Sequence, residues 1–209
     1  ADSVDEFDIM ATHPRTLDRI SRAAEAAGPK PPYARNLHSK AFHAAINGMV
    51  FGDDPDFGVI RGSSFLHRAL RFRFEVPEGF RLINRPQAVI ALNESIGSTI
   101  VFDIDTRRVG GPLTGYIVRD WAKTRLRDVE RLTVNGLPAA IGWQVSDSKR
   151  GRMVVRLLAI RGEPNQIFRF LFISPPAVTD RLAESFRRTT YSFRKLSIKK
   201  AAQILPHRL

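Results

Sequence analysis

The chain has 209 residues, 43% hydrophobic and 26% charged, enough to bury a core in one or two domains, and no stretch approaches the roughly 18 unbroken apolar residues of a membrane-spanning helix. It has no cysteine, which excludes a disulfide framework and a thiolate zinc site of the finger type. Lys and Arg number 33 against 21 Asp and Glu, a net charge of +12 that sets up a field attractive to polyanions.

Residues 16–27 read as a helix: Thr16 is placed to cap it, Asp18 lies in the first turn where the dipole favours an anion, and Gly28-Pro29 stops it. Its apolar set is Ile20, Ala23, Ala24 and Ala27. Pro29-Lys30-Pro31-Pro32 is a linker, a second short helix is expected over residues 39–48, and Gly52-Asp53-Asp54-Pro55-Asp56 breaks the chain before the main domain. From there the pattern turns to strands, over 72–76, 80–83, 88–92 and 99–104, separated by Pro-Glu-Gly, Asn-Arg-Pro and Glu-Ser-Ile-Gly turns. Leu113, Ile117 and Trp121 recur every fourth residue, with Val118 widening the stripe, so a helix capped by Thr114 is expected to run to residue 123. Strands over 132–134, 139–145, 153–161 and 167–173 follow, joined by Asn135-Gly136, Lys149-Arg150-Gly151 and Gly162-Glu163-Pro164-Asn165. In the last of them Phe168, Phe170 and Phe172 share one face; a closing helix with Thr179 as cap, Asp180 beside it and the stripe Leu182, Phe186 and Phe193 is positioned to cover that face. Arg169, on the opposite face, is expected to tolerate substitution unless the covering helices reach that side.

Strands outnumber helices and tight turns join them, so the expected class is α+β, an antiparallel sheet covered by helices. The expected divisions are a helical segment and linker over 1–57, the α+β module over 58–196, and a tail over 197–209.

The run Arg71-Phe72-Arg73-Phe74-Glu75-Val76 alternates strictly, which sends the phenylalanines inward and the arginines outward. A single-strand binder needs aromatics and cations on one exposed face, so sequence-reading of nucleic acid is excluded and the excess charge reads as a solvated basic face. Five histidines are present. His38 and His43 are five apart, about 140° around a helix, so they do not share a face for one metal ion. His67, following Phe65-Leu66 at a strand start, reads as packed or hydrogen-bonded, and His207 lies in the tail. Asp103 and Asp105 share one strand face and could bind a cation or act as an acid/base pair; outward-facing charges opposite Phe102 and Ile104 account for them more simply. Gly110-Gly111-Pro112 lacks the Lys-Ser/Thr of a phosphate loop, and Asp53-Asp54-Pro55-Asp56 lacks the spacing and closing Glu of an EF-hand.

Thr12-His13-Pro14-Arg15-Thr16-Leu17-Asp18-Arg19-Ile20 resembles the Thr-His-Pro-x-x-x-x-Arg-Ile element that closes the catalytic domain in metallopeptidase family forty-eight, the CAAX-prenyl-protease-like and bacterial cell-envelope zinc proteases. His13, Pro14, Arg19 and Ile20 match it position by position. Gly48-Met49-Val50-Phe51-Gly52-Asp53-Asp54-Pro55, Arg61-Gly62-x-x-Phe65-Leu66-His67, Phe72-x-Phe74-x-x-Pro77-x-Gly79-Phe80, Thr133 to Ala139, and Ser192-Phe193-Arg194 continue the resemblance to bacterial members with a long C-terminal extension. The resemblance implies that the His-Glu-x-x-His helix and a third, glutamate ligand lie upstream, that zinc is a cofactor of the full-length parent, and that this chain alone is inactive. It further implies a periplasmic or cell-envelope setting and a module that binds a protein substrate or partner, or positions the protease. The histidine matching His13 lies near the zinc cleft and in some members reaches the metal, which makes His13 a candidate gate and possible ligand; its place before the Thr16 helix start favours neutral imidazole. Arg19 matches the cation that holds a carboxylate or oxyanion there.

Residues 58–196, with Pro77-x-Gly79-Phe80, a mid-domain helix, long hairpins and a closing helix ending at Ser192-Phe193-Arg194, resemble a PsbP-like α/β/α sandwich, a fold used mostly by adaptors. The alternative is a freestanding basic α+β binding module for an anionic surface or protein partner.

Overall fold

The computed structural model describes residues 25–26, 28, 50–51, 56–122, 124–148, 151–205 and 207–208. The chain divides into two compact units, Ala1–Gly48 and Met49–Leu209. In the first, Glu25 and Ala26 are helical, and Gly28, at φ 65°, donates its N–H to the Glu25 carbonyl at 3.1 Å. Glycine takes that left-handed conformation without a Cβ penalty, so it ends a helix where Gly28-Pro29 predicts.

The second unit is built from antiparallel strands, numbered β1 to β13 along the chain. A seven-stranded sheet runs in the order β5 (Arg81–Asn84), β6 (Val89–Asn93), β7 (Ser98–Asp105), β11 (Ile167–Ser174), β10 (Gly151–Arg161), β9 (Leu137–Ser148), β8 (Arg127–Val134). A four-stranded sheet runs β12 (Arg194–Lys195), β4 (Phe72–Glu75), β3 (Ser64–His67), β2 (Val59–Arg61). β1 (Val50–Phe51) pairs with β13 (His207–Arg208). The α+β class and the antiparallel pairing hold, and β4 to β7 and β9 to β11 fall where the alternation predicts. β8 begins at Arg127 rather than 132, with a register shift between Arg127 and Glu130 where Asp128 takes φ 46°.

The core follows from the pleat. Phe102 of β7, Phe168, Phe170 and Phe172 of β11, and Leu158 and Ile160 of β10 point to one face, all 3% exposed or less. Against them pack Phe65, Phe72 and Phe74 of the small sheet and Leu182 and Phe186 of α2 (Pro176–Ser192). Ring centroids lie 4.8 Å apart for Phe74–Phe102 and Phe102–Phe170 and 4.7 Å for Phe168–Phe193, within the range of favourable aromatic pairs. On the opposite face Ala140, Leu157, Ala159 and Ile167 meet Leu113 and Tyr116 of α1 (Leu113–Tyr116) and Ile117 of the π-helical turn that continues it, Ile117–Trp121.

Four expectations change. A single sheet covered by helices becomes two sheets, because Phe65, Phe72 and Phe74 present one apolar face with which a second layer of strands, beside α2, covers the phenylalanines of β7 and β11. Thr114 does not cap α1, which starts at Leu113 after Pro112; Thr179 lies inside α2, which opens with Pro176 after Pro175. Proline at the first helical turn has no N–H to leave unpaired and a preset φ, so it starts α2 without a cap. Thr179 Oγ1 instead donates to the Pro175 carbonyl (3.0 Å) and lies 2.8 Å from Ser174 Oγ. Phe193 is past the end of α2 in extended backbone and fully buried, so it belongs to the core without belonging to the helix stripe.

Candidate functional site

Two neighbouring features carry the unit's concentrated chemistry, and Asp103 belongs to both. The first is a polar network beneath α1. Asp103, Asp105 and Arg169 share one sheet face by alternation, and register sets Arg169 of β11 opposite Asp103 of β7. Arg169 Nε and Nη2 donate to the two Asp103 oxygens at 2.5 and 2.7 Å, and its Nη1 lies 3.6 Å from Asp105 Oδ2. Tyr116 of α1 donates its hydroxyl to Asp105 Oδ2 at 2.7 Å, Arg169 donates to that hydroxyl at 3.3 Å, and the guanidinium stacks 5.2 Å from the Trp121 ring. Arg107, two residues past Asp105, donates Nε and Nη2 to its carboxylate at 3.0 and 2.6 Å.

The electrostatics follow from those contacts. Arg107's hydrogen bonds outweigh burial and, with the Tyr116 hydroxyl, hold the Asp105 carboxyl well below the usual carboxylate range. Burial, then the Asp105 carboxylate, push the Tyr116 phenol up. Burial works against the charge of Arg169, but its bonds to Asp103 and Tyr116 prevail and raise its pKa. The expectation of solvent-facing aspartates is therefore corrected: α1 and its π-helical turn lie on that face, and Asp105 is only 6% exposed. Nor is the pair arranged as an acid/base couple, since guanidinium groups neutralise both carboxylates. The network pins α1 to the sheet.

The second feature is a cleft of about 410 Å³ at the end of the two-sheet sandwich. Its floor is Phe65, Phe72 and Phe102, and its walls include His67, the β5–β6 turn at Arg85 and Gln87, and Asp103 and Ile104 of β7. Asn84 fixes one lip by donating to the carbonyls of Phe57 and Gly58 at 3.3 and 3.0 Å. Gly58 has no room for a side chain: at φ 99°, a Cβ there would sit 2.1 Å from the Phe65 ring. His67 ends β3 rather than starting it. It packs on Phe72 at 5.2 Å between centroids, and its Nδ1 accepts the Leu70 N–H at 3.2 Å, in keeping with the packed, hydrogen-bonded reading. Burial lowers its pKa, with Asp56 acting in the opposite sense.

Little in the sequence marks the cleft or the network. An Asp-x-Arg at the end of a strand was the available signal for Arg107; Arg169 and Tyr116 join only through register and tertiary contact. His13 and Arg19 lie outside the described residues, as do His38 and His43, and His207 is placed only as a backbone partner of Phe51. Among the described residues no group of three His, Cys, Asp or Glu is placed to hold a metal ion. No helix among them is long and apolar enough to cross a membrane.

No protein-family model matches the chain, and no curated protein matches it. Solved structures are similar over part of the chain, each at a TM-score below 0.5. Similar ones include a protein of Bacteroides thetaiotaomicron (TM-score 0.48, 11% identity, 66% of this chain), of whose length the match spans 50%. The Ran-binding protein Mog1p of Saccharomyces cerevisiae aligns with TM-score 0.44 and 12% identity over 62% of this chain and 92% of its own. Cyanobacterial PsbP of Synechocystis aligns with TM-score 0.42 and 11% identity over 72% of this chain and 93% of its own.

Proposed function

We propose that this unit is a binding module for an extended segment of a protein, and that it works as the non-catalytic C-terminal region of a cell-envelope zinc metallopeptidase, holding that enzyme on its substrate or partner. The observation that carries the binding half is the cleft, an aromatic floor of ligand-site size beside a strand that has lost its neighbour. The peptidase half is supported by the ordered resemblance of residues 12–20, 48–55, 61–67 and 72–80. In this reading the zinc and its ligands belong to the parent, with His13 and Arg19 near the zinc cleft of its catalytic domain, and residues 58–196 are a PsbP-like α/β/α sandwich with α2 and α1 on opposite faces of the large sheet.

The reading frame upstream of residue 1 tests the peptidase half: a His-Glu-x-x-His within about 150 residues is expected, and its absence overturns it. In the full-length protein, removing residues 58–196 should leave zinc content intact while abolishing cleavage of a native protein substrate; undiminished cleavage would remove the positioning role.

The net charge of +12 favours a second reading, a basic module acting on an anionic surface. It requires salt-sensitive co-sedimentation with phosphatidylglycerol vesicles, which the first reading does not.

A further inference from the structure

β7 outlasts its partner. The last β6–β7 pair is Val89 opposite Phe102, so Asp103, Ile104 and Asp105 continue the strand with β11 on one side and only the turn at residues 85–88 on the other. The cleft opens at that point, with Asp103 and Ile104 in its wall. A strand edge without a neighbour presents backbone groups to which an extended chain can add itself.

The polar groups around the cleft sort by whether they are already engaged. Asp103 is held by Arg169, the Asn84 amide by two carbonyls, and Arg68 by Asp56 at 2.7 and 2.9 Å. Arg85 is exposed, and among the described residues its guanidinium has no hydrogen-bond or ion-pair partner. His67 uses Nδ1 as an acceptor, so in the neutral ring the proton sits on Nε2, which likewise has no partner there. What the cleft leaves unengaged is thus a cation, a neutral imidazole donor and the exposed Gln87 amide, above a floor of buried phenylalanines and next to an open strand edge. Phe57, 75% exposed beside it, extends the apolar surface outward.

Building on the binding-module reading, we infer that this cleft takes the C-terminal end of a partner polypeptide. The last side chain, an apolar one, lies against Leu70 and Ile104, the partly exposed apolar wall above the buried Phe65 and Phe72; the terminal carboxylate is held by Arg85 and His67 Nε2; and the preceding residues add as a strand to Asp103–Ile104. An internal segment has no carboxylate for Arg85, and a free one-residue acid reaches neither the strand edge nor Phe57.

Isothermal titration of the 209-residue chain decides it, with acetylated tetrapeptides ending in Phe, Leu or Val as free acids, the same peptides as C-terminal amides, and phenylacetate. The acids should bind about tenfold more tightly than the amides, the effect of one charge-assisted hydrogen bond. Arg85→Gln should bring the acids to the level of the amides and leave the amides unchanged. Arg152→Gln, which removes an exposed cation of β10 that does not line the cleft, should change neither. Equal binding of acid and amide overturns recognition of the terminus while leaving the module reading in place. Phenylacetate binding as tightly as the peptide acids reassigns the cleft to a small free acid and overturns the proposal. An Arg152→Gln loss equal to that of Arg85→Gln attributes the preference to the diffuse field of the molecule and overturns it too. Absence of binding by every peptide removes both this inference and the binding half of the proposed function.

Discussion

Arg169 and Phe170 are consecutive in β11, and the pleat sends them into different layers. Phe170 is fully buried among the rings of Phe74, Phe102, Phe172 and Phe193, so Phe170→Ala should cost roughly 3–5 kcal/mol, measured by urea unfolding. Alternation alone makes Arg169 a solvent residue whose removal is silent. In the folded chain Arg169→Ala strips Asp103 of a two-point partner and Trp121 of its stacked cation, and a loss of roughly 1.5–3 kcal/mol is expected. A loss under about 0.5 kcal/mol would show that α1 does not depend on the network. His67 adds a pH dependence with a definite sign. Its folded pKa is lowered from 6.5 by burial, so the unfolded chain binds the proton more readily. The stability it contributes is full above about pH 6.5 and falls as pH drops towards the folded value. The urea midpoint should therefore decline from about pH 7.5 to 5.5, and His67→Phe, which keeps the aromatic contacts, should flatten that decline; an unchanged slope would refute the assignment. Asp105 acts in a separate window: its depressed pKa contributes stability present above 3.8 and lost only in stronger acid, as the pH falls through the folded value.

Among the elements, the β8–β9 turn shows what a sequence reveals and what it withholds. Asn135-Gly136 was legible as a hairpin turn because its geometry needs positive φ, and the two residues adopt 46° and 84°. Its second task was not legible: Asn135 Nδ2 donates to the carbonyls of Tyr191 and Phe193 at 2.8 and 2.7 Å, tying the turn to the end of α2 across 56 and 58 residues of sequence. Asn135→Gly keeps the φ and loses both bonds, for about 1–2 kcal/mol; Asn135→Ala should lose about 1 kcal/mol more, the left-handed penalty. Faster amide exchange in the last turn of α2 should accompany both, and a turn-only effect, with Gly as stable as Asn, would show the tie to be idle. Of the strands that escaped reading, β2 and β3 are only three and four residues long around Gly62-Ser63. Too few residues repeat for alternation to register, although Val59 and Phe65 are as buried as any in the core. The helix starts misled for a related reason: Thr114 and Thr179 look like caps, but Pro112 precedes α1 and Pro176 opens α2 by restricting φ, which leaves Thr179 one turn into α2 with its hydroxyl bonding backward to Pro175.

At the scale of the whole molecule, the alternation of hydrophobic residues revealed the large sheet, while the packing of the second sheet on it, the addition of β12 and the cleft between the two emerged only from contacts distant in sequence. The same holds for the chain's last residues. Leu196 donates its N–H to the Arg71 carbonyl at 2.7 Å, α3 (Ile198–Ala202) follows with Ser197 Oγ accepting the Lys200 N–H, and Arg61 reaches the Leu205 carbonyl at 3.1 Å. Ala201 and Ile204 are 3% and 2% exposed, so residues beyond 196 complete the interior rather than trail from it. A chain of residues 58–196 retains every strand of the large sheet and the phenylalanine layer, and it should fold cooperatively. It gives up Ile204, whose full burial is worth about 1.5–3 kcal/mol, together with the β1–β13 pair and the Arg61 contact. Relative to residues 49–209 it should unfold in a single transition at lower urea, by a margin corresponding to at least about 2 kcal/mol. Ile204→Ala in the longer chain should reproduce most of that difference. Equal midpoints for the two chains would mean that the segment after β12 lies on the unit without stabilising it, and a broad, non-cooperative transition for the shorter one would mean that the two sheets depend on that segment to stay packed together.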